Sequence, residues 1–140
     1  MSFRKIERED FEFLWRLHNA ALKDYVMRVW GWDEERQRQL FRESFETKRA
    51  KIIVFEGKDA GFLDAAERET ETVLISIRLL PEFQNKGIGT KIIQEILEKS
   101  HAKNKLVRLQ VLKINPAKKL YNRLGFKIFG ETETHFLMRK

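Results

Sequence analysis

Seven consecutive residues, Gln84-Asn85-Lys86-Gly87-Ile88-Gly89-Thr90, have the composition to hold an anion on the main chain. They follow an apolar run, Val73 to Leu80, that reads as a strand, and they open a segment with apolar residues at helical spacing. The first turn of a helix carries N–H groups without intrahelical acceptors and the positive end of the helix dipole. Gly87 and Gly89 remove side chains that would hold a phosphate off that backbone, and Lys86 sets a full positive charge beside it. On these residues alone, glycines kept for tight packing remain the alternative.

The loop does not fit the commoner glycine-rich phosphate binders. A P-loop needs Lys-Ser or Lys-Thr directly after its last glycine, whereas Thr90 follows Gly89 and the lysine comes earlier. A dinucleotide fingerprint needs a third glycine, and an acid after a later strand. Neither condition is met.

The elements that must position the loop can be read along the chain. Phe3 to Ile6 suits a short edge strand, and Asp10 reads as the N-cap of a helix carrying Leu14, Trp15, His18, Ala21 and Leu22. Asp33-Glu34-Glu35 starts a second helix with Leu40, Phe41, Ser44 and Phe45 inside. Lys51 to Glu56 and Phe62 to Arg68 form a hairpin around a turn at Gly57-Lys58-Asp59-Ala60-Gly61. Val73 to Leu80 is apolar on nearly both faces, as suits a strand covered by helices. From Gly87 a helix presents Ile88, Ile92, Ile93, Ile96 and Leu97 on one side, with Asn104 as its stop and Lys105 to Leu112 as the next strand. Strand, helix and strand in that order imply a parallel pair with a right-handed crossover, and ligands of such sheets lie beyond the carboxyl ends of the strands. Asn115 then caps a helix begun by Pro116, which carries Leu120, Tyr121 and Leu124 inward and stops at Gly125. Phe126 to Phe129 and Thr134 to Met138 close the fold as two strands.

Gln-x-x-Gly-x-Gly after Leu79-Leu80-Pro81-Glu82-Phe83, together with Asn115-Pro116 through Tyr121 to Leu124-Gly125-Phe126, resembles the GNAT N-acetyltransferases over nearly the whole chain. The resemblance implies a single α/β domain over residues 1–140, with a mixed central sheet flanked by helices and two parallel strands splayed apart at the cofactor site. It implies acetyl-coenzyme A as the acyl donor, with pyrophosphate on the amides from Gln84 to Thr90 and pantetheine along the backbone near Leu79. Asn115 would touch the pantetheine arm; as a simple helix cap it would need no ligand, and the two roles can coexist. The reaction implied is direct attack of a primary amine, on a small molecule or a peptide, upon the acetyl thioester. Tyr121 matches the family's acid on the thiol side, the alternative being a core tyrosine. An ordinary phenol lies above a thiol by an amount that makes full proton transfer uphill by about 2 kcal/mol.

No carboxylate lies on Val73 to Leu80, where many family members carry one, so no general base is assigned and Asp64, Glu82 and His135 are the neighbouring candidates. That departure keeps a second reading open, a non-catalytic module that binds or senses acyl-coenzyme A. Arg78 is the one charge on the strand, either snorkelling out at its end or meeting a carboxylate of the acceptor. Tyr25, Trp30 and Trp32 either pack or, as the family's acceptor-covering segment implies, form a wall of the substrate site.

Bulk properties agree with a globular domain. The chain has 140 residues, 42% hydrophobic and 35% charged, with no cysteine and a net charge of +7. Absence of cysteine removes disulfides, thiolate zinc sites and acyl-cysteine chemistry. His18, His101 and His135 lack metal-ligand spacing, so no metal is expected. No apolar run approaches about 20 residues and the start has no leader character, which points to the cytoplasm and away from membranes. Basic clusters at Lys48-Arg49-Ala50-Lys51, Lys99 to Lys105, Lys118-Lys119 and Arg139-Lys140 are not interleaved with aromatics, so a nucleic-acid partner is not expected.

Overall fold

A computed structural model describes residues 1–17, 35, 39 and 50–140. Seven strands form one sheet: β1 (Ser2–Lys5), β2 (Lys51–Phe55), β3 (Lys58–Glu67), β4 (Glu71–Leu79), β5 (Leu106–Leu112), β6 (Lys127–Glu131) and β7 (His135–Arg139). Their order is β1-β2-β3-β4-β5-β7-β6. Two further helices are α1 (Ile88–Ala102) and α2 (Ala117–Arg123), and residues 11–17 are also helical. No helix among the described residues is long and apolar enough to cross a membrane. The chain forms two compact units, Met1–Asp64 with Ser76–Gln84 and Ala65–Ile75 with Asn85–Lys140, and β3 and β4 run through both.

In the first unit, Leu14 and Leu17 share one face of the helix and pack with Ile52 and Leu80, with Phe62 and Phe83 against them. The β2–β3 hairpin turns on two residues, Glu56 and Gly57, with φ of 51° and 77°. This replaces the five-residue turn expected at Gly57 to Gly61, because two left-handed residues match the twist of the flanking strands. Gly61 instead lies inside β3, where a Cβ would stand 2.1 Å from the carbonyl oxygen of Arg78 and 2.9 Å from Leu79. The register between β2 and β3 shifts beside it, leaving Ala60 as an extra residue whose carbonyl accepts the Leu80 N–H at 2.9 Å. The bulge and the glycine together bring β3 against the end of β4.

Asp10 is buried, but its carboxylate points backward rather than capping downstream amides. It accepts two bonds from the Arg4 guanidinium, at 2.8 and 3.0 Å, and one from the Glu7 N–H at 2.7 Å. Arg4 also reaches Asp59 at 2.8 Å, and its hydrogen bonds hold the Asp10 carboxyl below the usual range. The nearby cation outcompetes the helix start for that carboxylate.

In the second unit, β4 and β5 pair in parallel from Glu71↔Leu106 to Leu74↔Leu109, and α1 links them. Ile88, Ile92, Ile93 and Leu97 are buried, and Ser100 is buried as well, sharing a 2.8 Å hydroxyl contact with Thr72 of β4. Lys105 N–H returns to Ser100 O at 2.9 Å and Asn104 takes a φ of 60°, which ends the helix where the asparagine predicts. Coverage of β4 on both faces holds for Thr72 to Leu74 only, since Ile75 is 44% exposed and Ser76 to Leu79 are half-buried.

Because the atom nearest the missing Gly61 side chain is main chain, Gly61→Ala cannot be relieved by a rotamer change. We expect a loss of about 2–3 kcal/mol, in the range of severe overpacking, read as a lower midpoint in urea unfolding. A loss below about 0.5 kcal/mol would show that β3 and β4 are not held this closely.

Candidate active site

Beyond β4 the chain makes one 3₁₀ turn, Pro81–Phe83, before the glycine loop. Gln84 closes that turn: its N–H donates to Pro81 O at 3.2 Å and its side-chain amide to Leu79 O at 2.9 Å. Gln84 therefore braces the loop through its main-chain N–H and its side-chain amide, and the open amides come after it. Asn85 and Gly87 are left-handed, with φ of 59° and 79°, on either side of Lys86. Alternation of this kind turns successive N–H groups toward one side and forms an anion-binding concavity. Asparagine tolerates that conformation better than other side chains, which was the one backbone feature of the loop that its glycines did not announce.

The ladder of α1 begins with Lys91 N–H to Gly87 O at 3.0 Å, so the amides of Ile88, Gly89 and Thr90 lie ahead of it. Asn85, Lys86 and Gly87 are exposed, and a Cβ on Gly87 would meet nothing within 4 Å. Tight packing therefore does not explain Gly87. Its backbone conformation and the open space above it do, and both suit a polyphosphate laid on the helix start.

Asn115 caps α2, its side-chain oxygen accepting the Ala117 N–H at 2.9 Å, while Pro116 takes helical angles just ahead of the helix. The carboxamide NH₂ is a separate donor, so the cap leaves a second function chemically open. Tyr121 is buried at 8% exposure with its ring edge-on to Phe126 at 5.8 Å. No hydrogen bond reaches its hydroxyl among the described residues. Burial alone pushes its pKa up to about 12. A buried hydroxyl without a partner costs about 1–3 kcal/mol, which a ligand acceptor would recover.

Arg78 is half-buried near the end of β4 with its guanidinium 5.9 Å from the Phe62 ring centre. Desolvation lowers its pKa to about 10, so it stays charged at neutral pH. Of the candidate bases, Asp64 is buried on β3, Glu82 is exposed on the 3₁₀ turn, and His135 begins β7 with Nδ1 2.8 Å from the Thr134 hydroxyl. Tyr25, Trp30, Trp32 and His18 lie outside the described residues.

The sequence pattern of the acetyltransferase (GNAT) domain matches residues 48–128, and the chain belongs to that family. Three solved structures illustrate the likeness. The PaiA N-acetyltransferase of Thermoplasma acidophilum, crystallised with coenzyme A, is 21% identical with a TM-score of 0.78, covering 99% of this chain and 97% of that one. An acetyltransferase from Thermus thermophilus is 15% identical with a TM-score of 0.73, covering 99% and 95%. A ribosomal-protein-alanine N-acetyltransferase from Escherichia coli is 19% identical with a TM-score of 0.67, covering 99% and 91%. At these identities the likeness is one of fold. No curated protein sequence matches the chain.

Since Gly87 has open space but a left-handed backbone, Gly87→Ala should destabilise the ligand-free protein by about 1–2 kcal/mol through conformation alone. Gly87→Asn should lose less. Equal stability of the alanine variant and wild type in denaturant titration would mean that the turn relaxes to another geometry.

Proposed function

We propose that this chain, as a single domain from residue 1 to 140, transfers an acetyl group from acetyl-coenzyme A directly to a primary amine of a small molecule or peptide. The observation that carries the reading is the exposed left-handed turn from Asn85 to Gly87 at the start of the 15-residue helix α1. Pyrophosphate rests on the amides of Ile88, Gly89 and Thr90 with Lys86 beside it, and Gln84 holds the turn in place. The pantetheine arm runs along the backbone near Leu79, beyond the four residues of β4 that pair with β5. The carboxamide of Asn115 offers it a donor.

In the transfer, the ammonium first gives a proton to water, the free amine nitrogen bonds to the acetyl carbon, the carbon–sulfur bond breaks with its electron pair going to sulfur, and the nitrogen's second proton passes through water to the coenzyme A thiolate or to bulk solvent. A main-chain N–H near Leu79 stabilises charge growing on the carbonyl oxygen. Tyr121 serves the sulfur. With its pKa near 12 against about 8.5 for a thiol, full transfer would be uphill by about 5 kcal/mol. The hydroxyl therefore acts as a hydrogen-bond donor to the departing sulfur rather than as its final proton source. On the acceptor side, Arg78 over Phe62 favours an amine that carries a carboxylate.

Acetyl-coenzyme A at about 100 times its dissociation constant should stabilise the protein by about 2.7 kcal/mol, seen as a raised melting temperature. Gly87→Glu should abolish that shift while the stability-matched Gly87→Ala retains much of it, because the added carboxylate opposes phosphate. Absence of any shift in the wild type at millimolar ligand would remove the proposal.

Tyr121→Phe deletes a hydroxyl that no described residue hydrogen-bonds, so stability should hold or rise slightly. Cofactor affinity should stay within a few-fold while the single-turnover rate to an amine acceptor falls about 10²-fold. The loss should shrink with an acyl donor whose leaving thiol has a lower pKa. An unchanged single-turnover rate in this variant would reduce Tyr121 to a core aromatic.

A further inference from the structure

Pairing of β5, β7 and β6 assembles a row of three cations that no stretch of the sequence displays. Arg108 of β5 faces Arg139 of β7, and Arg139 faces Lys127 of β6. Residues directly opposite on paired strands share a face, so all three side chains stand on one surface, with strands about 4.8 Å apart. Helix α1 covers the other surface, because Ser100 bonds Thr72, whose register partner is Val107 rather than Arg108. Like charges placed opposite one another destabilise a sheet, so this row opposes folding.

Compensation is incomplete. Glu71 accepts two bonds from Arg108, at 2.9 and 3.2 Å, and its carboxylate is also 3.9 Å from Arg68. Among the described residues no carboxylate pairs with Arg139 or Lys127. The Arg139 guanidinium lies instead over the ring of Phe129, 4.7 Å from its centre. Phe129 is 40% exposed and Leu106, on the same surface, 52%.

We propose that this sheet surface binds single-stranded nucleic acid. The row supplies phosphate contacts, and a guanidinium resting on an exposed ring gives a flat face on which a base can stack. A second copy of the chain is a poor occupant, since an isologous contact would set cations against cations. An added peptide strand is disfavoured as well, because the edge strand β6 carries a bulge, with Phe129 as the extra residue between Ile128 and Gly130. The inference is independent of acetyl transfer; if both hold, the enzyme works on amines carried in ribonucleoprotein or held near it.

The test is fluorescence anisotropy of the full chain with a labelled 12-nucleotide single-stranded RNA of mixed sequence. Three phosphate contacts predict that raising salt from about 50 to 200 mM weakens binding about 20-fold. Lys127→Gln/Arg139→Gln should weaken binding at least tenfold while raising the melting temperature, because it removes cross-strand repulsion. A merely structural role for the two residues would not move affinity and stability in opposite directions. Lys99→Gln/Lys119→Gln, with the same change of net charge on exposed helix positions, should weaken binding less than threefold. Wild-type protein that does not bind at 50 mM salt would overturn the proposal. So would equal loss in both double variants, or displacement of the RNA by polyglutamate as readily as by unlabelled RNA.

Discussion

Parallel pairing of β4 with β5 cannot be made by a tight turn, and that restriction governs the working end of the molecule. The connection must cross over the sheet, and α1 does so while burying Ile88, Ile92, Ile93 and Leu97. A helix that starts after β4 and must return to the beginning of β5 necessarily presents its N-terminal amides at the carboxyl end of β4. The buried Thr72–Ser100 contact ties the far end of the helix to the far end of the strand. An open helix start at the end of β4 is thus a by-product of topology, and the loop residues keep its amides uncovered.

The features of the site that oppose stability are local and identifiable. Asn85 is an L-residue in the left-handed region, and Tyr121 buries a hydroxyl that no described residue satisfies. Each costs on the order of 1–3 kcal/mol in the free protein. The strand that serves the site loses its cover from Ile75 onward, where the sheet is half-exposed rather than packed. Such departures from good packing concentrate where a ligand completes what the chain leaves open.

Most of this was legible in the sequence because its signals are local. The glycine loop, the crossover helix with its Asn104 stop and the Asn115-Pro116 helix start each depend on a few adjacent residues, and the structure differs by a residue or two at their ends. What was not legible depends on partners outside a residue's own element. Asp10 reads as a cap until Arg4 captures it, and Gly61 reads as part of a turn until Arg78 is found against it. The basic row of Arg108, Arg139 and Lys127 is invisible to any window, because strand pairing brings its members together in register. No aromatic interleaves with the basic clusters along the chain, whereas Phe129 and Arg139 interleave across the sheet.

Arg4 fastens the edge strand β1 to two acids, one six positions along the chain and one 55 positions away. Its strand pairs with β2, so Ser2 must wait for Val54 to be made. At about 5–20 residues per second, the nascent chain carries an unpartnered strand with an exposed Phe3 for several seconds before β2 is complete. Ser2 to Lys5 are thus made well before the residues that pair with them, Lys51 to Val54. In the interval only the bond to Asp10 is within reach, and it holds Arg4 beside the first helical turn until Asp59 arrives. Until β2 is made, β1 is a strand without its partner, open to a protease or a chaperone.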